Sequence, residues 1–528
     1  MRCLARPAAL GVLLLSLGLG ACPPPPPAPP TRAALPLIVG MEYAQPGLGN
    51  GLTGTRMQGV KFFPSLFNWG EMQAGPDSAI DFQVLDRLVK EYQDAGFTEC
   101  MIALHSKCPW GSIDAGLLAQ NPNYAPKPEY LDEYAAWVRA VVERYDYDGQ
   151  ADMPGLRRAV RYYEIGVEFS SYEPEPVADY LGMLAVAYSA AHAAFPEAIV
   201  MHAAFLATTA FVDDPGPDDY EAAFASVSPR IMHHGLDDIR AVLDRPDLFD
   251  AVNFHALASP LEIEATVEWL RFEMGRRGYD KPLVVSDTSP NPFIGWGPAT
   301  ICDALPQFMG LVLPPATEAD RCRLADFFSL LVEKDQATLE WAYGQVARDM
   351  AKMVVIAANQ GIAFINTSFM EDLIQLQAPV FQAGAGLSAW AGMATTTYNV
   401  VTRAHEIQEL RPLYFAIRQT IGKLDHADQV ERIATDDPAV YLYQIRLADS
   451  IAGTTYWIAW HEPGTLLLPG DPEPGVNLLL DTTAASVTIE YLITEANPAA
   501  EPYTLPVSGG VASIPVTSTP LFIVAGAG

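Results

Sequence analysis

The sequence predicts an α/β protein: a (β/α)8 TIM barrel followed by a small C-terminal antiparallel β domain. Up to about residue 425, eight short apolar runs rich in Val, Ile and Phe alternate with longer segments of helical period. Beyond that point the helical period stops, and apolar–polar alternation between turn residues replaces it. Half of the 528 residues are hydrophobic and 18% are charged, so the chain can bury the large core that a barrel needs.

Each predicted strand is a short apolar run, and each predicted helix is a longer segment in which apolar residues recur every three to four positions. The strands are predicted at residues 36–43, 60–64, 97–105, 162–168, 198–203, 249–255, 281–287 and 361–366. The clearest helices are predicted at residues 82–95, 130–145, 177–195, 261–277 and 336–359. Eight such units close into a parallel barrel, in which the chemistry lies at the carboxyl ends of the strands. The polar residue that closes each strand is therefore a candidate site residue.

Two parts of the body depart from this strand–helix alternation. Residues 288–334 are long for a connection between a strand and a helix, and they are rich in Pro and Gly; loops of that length are often functional. We therefore predict an insertion over the barrel mouth at about residues 289–334, within a barrel that spans residues 35–425. The second part is the β domain at residues 426–528. Its alternating strands are predicted at residues 439–447, 455–460, 476–480, 486–493 and 517–524.

The first residues of the chain predict export. Two arginines precede an apolar run at residues 8–19, which is too short for a permanent spanning helix and is followed by the sequence GAC. This arrangement resembles a bacterial lipoprotein signal, which implies removal of residues 1–21 and lipidation of Cys22. The alternative is an ordinary signal peptide with an incidental cysteine. Residues 22–34 form a stiff Pro-rich linker, and the expected location is the outer membrane or cell surface, with membrane contact only through the lipid.

The four remaining cysteines fall into two local pairs, and an exported compartment permits disulfides. We therefore predict the disulfides Cys100–Cys108 and Cys302–Cys322. Metal binding is the alternative, but the sequence has no CxxC or HxxxH spacing. No metal site is expected.

The charge balance excludes several partners. Lys and Arg number 32 against 63 Asp and Glu, giving a net charge of −31, whereas a nucleic-acid partner requires a basic surface. Adhesion to anionic lipid through surface charge is disfavoured for the same reason. Neither a GxGxxG fingerprint after a strand nor a phosphate-binding GxxxxGK[ST] loop occurs, so we expect no cofactor. The GxSxG sequence of esterases is also missing, which disfavours an esterase. We expect the protein to be a monomer.

Four segments together resemble one family. They are FNWGEMQ at residues 67–73, YEIGVE at 163–168, KPLVVSDT at 281–288, and RPLYFA at 411–416 leading to YWIAW at 456–460. Their order and spacing resemble the retaining glycoside hydrolases of clan A, which have a (β/α)8 barrel, over most of residues 36–525. The resemblance implies a glycosidase that acts on a poly- or oligosaccharide. It also implies that Glu168 is the general acid and that Asp287 is the nucleophile.

The sequence departs from that family at two positions that bear on the chemistry. Val167 occupies the position of the family's Asn, and Asp287 occupies that of its nucleophilic Glu. Glycoside cleavage needs a proton for the leaving oxygen and an opposing carboxylate, about 5–5.5 Å away for retention and about 6.5–9.5 Å for inversion. Because Asp is one methylene shorter than Glu, three outcomes are open: the backbone advances to restore retention, a water enters and the reaction inverts, or the site binds sugar without cutting it.

Each acid also has a structural interpretation. Glu168 could be a buried carboxylate paired with an Arg, and Asp287 could close its strand in an Asx turn. If the site is active, the pKa of Glu168 should be raised both by the low dielectric of the mouth and by the charge of Asp287. The function that competes with glycosidase is a non-catalytic surface lipoprotein that binds glycans or proteins on a degenerate barrel.

Further candidates for sugar contacts lie at strand ends or on loops at the mouth. Those at strand ends are Glu42, His105, His202 and His255; the aromatic ones are Trp69, Trp110, Tyr172 and Trp296; Asn366, Ser368 and Glu371 follow the eighth strand. Aromatic faces stack on sugars and carboxylates bind their hydroxyls. The alternatives are a salt bridge for Glu42, structural hydrogen bonds for the histidines, and ordinary loop packing for the aromatic residues.

Overall fold

The structure is a computed structural model. It describes residues 37–62, 67–116, 118–211, 214–227, 232–290, 318–367, 369–372, 390–447, 456–495 and 501–525. Four predicted site residues, Cys22, Trp296, Cys302 and Ser368, lie outside the described residues, as do the signal, the linker and most of the predicted insertion.

Eight parallel strands form a closed barrel, as the sequence predicted. They are β1 (Ile38–Met41), β2 (Gly59–Phe62), β3 (Glu99–Leu104), β4 (Tyr162–Glu168), β5 (Ile199–Leu206), β6 (Val252–Ala256), β7 (Leu283–Thr288) and β8 (Phe364–Thr367). Around the barrel, each strand is hydrogen-bonded to its neighbour in sequence, and β8 closes the ring against β1. The carboxyl ends of all eight strands therefore meet at one mouth.

Helices follow the strands and cover the outside of the barrel. The helices are Gly49–Leu52, Trp69–Met72, Gln83–Ala95, Leu131–Arg144, Val177–Ala194, Tyr220–Ser226, Leu236–Leu243, Glu262–Arg276, Glu318–Glu333, Gln336–Asn359 and Pro412–Leu424. The helix Glu318–Glu333 corrects the prediction of one loop up to residue 334, because the end of that segment is helical. Within the described part of the chain, none of the helices is both long and apolar enough to cross a membrane.

The barrel interior has an apolar floor. One residue from each of six neighbouring strand segments contributes to it: Met101, Tyr162, Met201, Ala251, Val284 and Phe364. The ring of Phe364 fills the space that two facing glycines leave, since a Cβ atom on Gly40 or Gly59 would lie 2.7 Å or less from that ring. Residues one position along these strands, such as Cys100 and Ile365, pack outward in the larger core with the helices.

The C-terminal region is antiparallel β structure, as predicted. A hairpin of β9 (Ala394–Asn399) and β10 (Ala404–Leu410) precedes the helix Pro412–Leu424. The strands that follow are β11 (Ala427–Ile433), β12 (Val440–Leu447), β13 (Tyr456–His461), β14 (Val476–Asp481), β15 (Ser486–Tyr491), β16 (Tyr503–Pro506), β17 (Val511–Val516) and β18 (Leu521–Ala525). Six of them form one sheet in the order β11-β12-β13-β18-β15-β16, while β14 pairs with β17. Alternating apolar residues of both sheets share a single buried cluster.

The predicted disulfide Cys100–Cys108 is wrong. Both cysteines are buried and have free thiols. Cys100 lies near the start of β3, so the four residues from it to Leu104 already advance the chain by about 13 Å along the strand. A disulfide needs Cα atoms within about 7 Å, and the short spacing in sequence is misleading because a strand is extended. The other predicted pair includes Cys302, which lies outside the described residues.

We expect Gly59→Ala to destabilise the protein, since its Cβ would lie 2.4 Å from the Phe364 ring and 3.1 Å from the Gly40 backbone. Overpacking of this kind costs about 1–3 kcal/mol. The matched control is Gly182→Ala, on the exposed face of the helix Val177–Ala194, where a Cβ meets nothing within 4 Å. This variant should be more stable than the wild type by about 0.5–1 kcal/mol, because alanine favours a helix more than glycine does. Urea denaturation measures both free energies of unfolding. Equal stability of Gly59→Ala and the wild type would contradict the packing described for the barrel floor.

Candidate active site

Strand β4 delivers Glu168 to the mouth through a bulge. Ile165 pairs with His202 and Glu168 pairs with Ala204, so β4 uses one more residue than β5 over this stretch. Gly166 within the bulge has φ of 92°, a left-handed conformation that glycine adopts without strain. Bulges re-aim side chains next to functional sites, and this one sets the direction in which Glu168 leaves the strand.

Glu168 is buried and holds its proton near neutral pH. Its Oε1 lies 2.7 Å from Nδ1 of His255. Burial raises the pKa of Glu168 to about 7, against the opposing effects of the Lys61 charge, a hydrogen bond from Ser171 and the His233 charge. Burial was expected to raise this pKa and does; the charge of Asp287 was also expected to raise it but is not among the causes.

Asp287 follows a second bulge. Phe254 pairs with Val285 and His255 pairs with Asp287, so Ser286 is the extra residue on β7. The Oγ of Ser286 lies 3.0 Å from Nε2 of the same His255 ring whose Nδ1 meets Glu168. Glu168 thus contacts the His255 side chain, and Asp287 lies opposite His255 in the register of the neighbouring strand, at the same mouth. The pKa of Tyr43 is raised well above its usual value by burial first, and then by the charges of Glu42, Asp287, Tyr172 and Glu168, so the charges of both acids act on this ring.

Beneath these acids the barrel interior is polar, and its centre is Lys61. The Lys61 Nζ lies 2.8 Å from Oε2 of Glu164 and 3.1 Å from Oε1 of Glu42, and all three side chains are buried. It also donates to Oγ of Ser286 over 3.4 Å. Burial works against the charge, but the charges of Glu164, Glu42 and Asp287 outweigh it and raise the pKa of Lys61. The amine is therefore held as an ammonium ion inside the barrel.

Glu42 makes the salt bridge that was the alternative to a sugar contact, although with Lys61 rather than with an Arg. Burial, followed by the negative charge of Asp287, raises the pKa of Glu42 well above its usual range. A side-chain hydrogen bond with Asp287 raises it further, so Glu42 links the Lys61 cluster to Asp287.

Two predicted sugar contacts are wrong. The His202 ring is fully buried in the barrel wall against Phe205 and Phe249, with ring centroids 4.2 and 5.0 Å apart. Its nitrogens face main-chain atoms: Nδ1 lies 2.7 Å from the Ala203 oxygen, and Nε2 accepts from the Asn253 amide over 3.3 Å. The alternative of a satisfied structural histidine therefore describes His202.

Trp69 is also fully buried, so it presents no face to a sugar. Its ring packs against Trp110, Tyr134 and Trp137, and its Nε1 donates to Gln73 over 3.0 Å. The aromatic cluster is the packing of the loop after β2. An aromatic residue that is exposed lies after β4, where Tyr172 is 67% exposed.

The other candidates lie near the mouth with partners of their own. His105 is largely buried, 3.7 Å from Oε1 of Glu173, and burial and the Lys107 charge lower its pKa to about 4. Asn366 belongs to the polar interior, where its amide donates to the Ser286 carbonyl over 3.1 Å. Glu371 accepts from Nδ1 of His405 over 2.9 Å, which ties the hairpin β9–β10 to the end of β8.

Sequence reasoning missed the polar interior beneath the two acids. Its members are Lys61, Glu164, Asn253 and Ser286, together with the buried pair Glu173 and Glu175 beside it. The signal was present for Lys61, because a lysine inside an otherwise apolar barrel strand needs a buried anion. The alternation of side chains along a strand also indicates Glu164 as a candidate for the interior, since it lies four residues before Glu168 on the same strand.

One acidic group among the described residues has ligand atoms close enough together to hold a metal ion: Glu143, Asp146 and Asp148. It lies at the end of the helix Leu131–Arg144 and in the connection from that helix to β4. Connections from a helix to the next strand lie at the end of a barrel opposite the mouth. This group is therefore separate from the two carboxylates.

No protein-family model matches the sequence, and no curated protein matches it. Solved structures do match. A family 39 glycoside hydrolase from Bacteroides cellulosilyticus WH2 is 12% identical with a TM-score of 0.55, covering 94% of this chain and 82% of its own. A glucosidase from Croceicoccus marinus is 12% identical with a TM-score of 0.51, covering 93% and 96%. A monomeric β-xylosidase from Caulobacter crescentus CB15 is 14% identical with a TM-score of 0.51, covering 94% and 97%.

These likenesses establish the fold. The resemblance to clan A glycoside hydrolases that the sequence segments indicated is confirmed at that level: the neighbours are glycoside hydrolases, and this chain has the same closed barrel followed by β structure.

We expect Glu168→Gln to gain stability relative to the wild type as pH rises. The carboxyl has its pKa raised from an ordinary 4.5 to about 7 in the folded state. Its stabilising effect is complete below pH 4.5 and is lost as pH rises through about 7, whereas the amide does not titrate. By linkage, the difference in free energy of unfolding should move by about 2–3 kcal/mol in favour of Glu168→Gln between pH 5 and pH 8. Urea titrations at the two pH values measure it, and a difference that does not change with pH would show that Glu168 is not held in the protonated form.

Proposed function

We propose that this protein is a glycoside hydrolase that cleaves a poly- or oligosaccharide, with Glu168 as general acid and Asp287 as nucleophile. The observation that carries the proposal is that Glu168, whose pKa is raised to about 7, contacts His255, and that Asp287 lies opposite His255 at the end of the neighbouring strand. A carboxyl group that keeps its proton near neutral pH can protonate a leaving oxygen, while an ionised carboxylate faces the anomeric carbon. The glycoside hydrolases among the structural neighbours support a carbohydrate as the substrate.

The proposed reaction has two displacements. Glu168 gives its proton to the glycosidic oxygen as the bond from that oxygen to the anomeric carbon breaks, and a carboxylate oxygen of Asp287 forms an ester with that carbon. Glu168, now ionised, takes a proton from a water molecule, whose oxygen then displaces Asp287 and restores both groups.

His255 and Glu42 support the two acids in this reaction. Burial first, then the Lys61 charge, lower the pKa of His255 to about 4, so its ring is neutral when the enzyme works near neutral pH. When Nδ1–H donates to Oε1 of Glu168, the second oxygen of Glu168 is left to carry the transferable proton. Protonated Glu42 can donate a hydrogen bond to Asp287 and so orient the nucleophile.

The short side chain of Asp287 is compatible with this role because Ser286 adds a residue to β7 immediately before it. A bulge bends the strand and re-aims the side chains beside it, so the proposal adopts the first of the three outcomes that the substitution of Glu by Asp left open. Retention and inversion are separated by ¹H NMR of the anomer formed first. Appearance of the inverted anomer would assign Asp287 to water activation instead.

We expect Glu168→Gln to slow cleavage of alkyl glycosides by about 10²–10⁴-fold and to slow 2,4-dinitrophenyl glycosides far less, since an activated leaving group needs little protonation. Asp287→Asn should slow both by about 10⁴-fold or more. Wild-type kcat/KM should fall as pH rises through about 7, where the Glu168 proton is lost. Steady-state kinetics on the sugars selected by a screen of aryl glycosides measure these effects.

The exposed carboxylate of Glu71, in the short helix Trp69–Met72 after β2, supplies the control variant Glu71→Gln, which should keep wild-type rates. Near-full activity of Asp287→Asn would make Asp287 a turn residue. A wild type that binds glycans but hydrolyses none in a broad screen would favour the non-catalytic alternative, with Val167 and Asp287 as the marks of a lost activity.

We also propose that the protein is exported and anchored through lipid on Cys22, on the strength of the signal-like sequence at residues 1–21 and the Pro-rich linker at 22–34. The variant Cys22→Ala should leave the protein soluble in an expressing bacterium, whereas the wild type should partition into detergent and take up radiolabelled palmitate. Equal partitioning of the two proteins would contradict the anchor.

A further inference from the structure

We propose that Glu173 is the positioning residue for Glu168: its buried carboxyl holds the bulge of β4 in the conformation that aims the general acid. The inference rests on the proposed function, because it assigns to Glu168 the role of acid. In the proposal, the Glu173 carboxyl contacts neither the Glu168 carboxyl nor the substrate. It acts on Glu168 through the main chain between them.

The contact that carries the inference lies inside the bulge. The amide of Val167, the residue immediately before Glu168, donates to Oε1 of Glu173 over 2.7 Å. Glu173 is fully buried. The carboxyl occupies space that Gly166 leaves open, since a Cβ there would lie 2.8 Å from both Cδ and Oε1 of Glu173. A hydrogen-bond donor that would otherwise be unpaired in a bulge is thus satisfied by a side chain.

The turn from Glu168 to Glu173 is fixed at both of its ends. The Glu168 carbonyl accepts from the amides of Tyr172 over 2.8 Å and of Glu173 over 3.2 Å, which closes one tight turn. The Glu173 carbonyl in turn accepts from Nε2 of His234 over 2.9 Å, and the His234 ring stacks on Phe169 with centroids 4.2 Å apart. A short closed turn of this kind transmits the position of the Glu173 carboxyl to the main chain of Glu168.

The groups around Glu173 determine which protonation state of its carboxyl can hold the bulge of β4. Facing the carboxyl are Glu175, Glu164, the Val167 amide, and His105 at 3.7 Å. Burial first, and then the charge of Glu175, raise the pKa of Glu173 well above its usual range, and His105 is neutral near pH 7 because burial lowers its pKa. The raised pKa of Glu173 favours a proton on its carboxyl in the hydrogen bond with Glu175, while Oε1 accepts from Val167. An amide side chain reproduces this arrangement, with its oxygen toward Val167 and its nitrogen toward Glu175.

The test compares Glu173→Leu with Glu173→Gln. A misplacement of about 1 Å costs on the order of 10²-fold in a positioned step. Glu173→Leu should therefore lower kcat for alkyl glycosides by about 10–100-fold, with KM changed by less than about threefold. The rate for 2,4-dinitrophenyl glycosides should change by less than about threefold, because their cleavage does not need the acid. Glu173→Gln should restore most of the loss. A purely structural role would move both substrates together.

Gly166→Ala is the second variant, in case Glu173→Leu does not fold. Its added methyl displaces the Glu173 carboxyl instead of removing it, and it should give the same loss restricted to poor leaving groups. Three results would each overturn the inference and leave the proposed function standing. They are equal losses on both substrate types, no loss in either variant, and a Glu173→Gln protein that behaves like Glu173→Leu.

If the wild type cleaves no glycoside, the proposed function fails, and the inference is judged on the titration of Glu168 itself. A ¹³C NMR titration with side-chain-labelled Glu, in which the Glu168 signal is assigned by its loss in Glu168→Gln, reports the pKa of Glu168. That pKa should be near 7 in the wild type and in Glu173→Gln, and should shift in Glu173→Leu or Gly166→Ala. An unchanged Glu168 titration in those two variants would overturn the inference.

Discussion

The mouth of this barrel depends on the ion pairs of one buried ammonium group, that of Lys61. Three carboxyl groups, Glu164, Glu42 and Asp287, surround one positive charge in a place from which water is largely excluded. Three buried carboxylates could be balanced only in part by one cation, and an unbalanced buried charge is costly. Burial and the charge of Asp287 raise the pKa of Glu42, which favours its neutral form and so reduces that cost.

The two strands that bear the acids share a local device. Both β4 and β7 carry one extra residue immediately before the acid, at Gly166–Val167 and at Ser286. A regular parallel strand would fix the height and direction of an end residue by its register alone. The extra residues uncouple the acids from that register. The side chains that stabilise them, Glu173 for the first and His255 for the second, are therefore as much a part of the site as the acids.

The fold could be predicted from the periodicity of the sequence, whereas the candidate site could be predicted only in part. The bounds of β4 and of the helix Gln336–Asn359 match the sequence prediction, because both are long and strongly patterned. The acids were found because strand ends meet at the mouth, which needs no side-chain detail. His202 was misplaced because the wall and the mouth of a barrel look alike in sequence, and Lys61 was missed because its partners lie on strands distant in the chain. Contacts between strands that are far apart in sequence do not appear in any local pattern.

The apolar floor of the barrel has a consequence for how Glu168 obtains its proton. Phe364 and its neighbours close the end of the interior opposite the mouth, so Glu168 exchanges protons with the surrounding water from the mouth side. In the proposed reaction, a sugar bound in the mouth would cover that route. Glu168 would then have to be protonated before the substrate binds, and one proton would be available for each turnover.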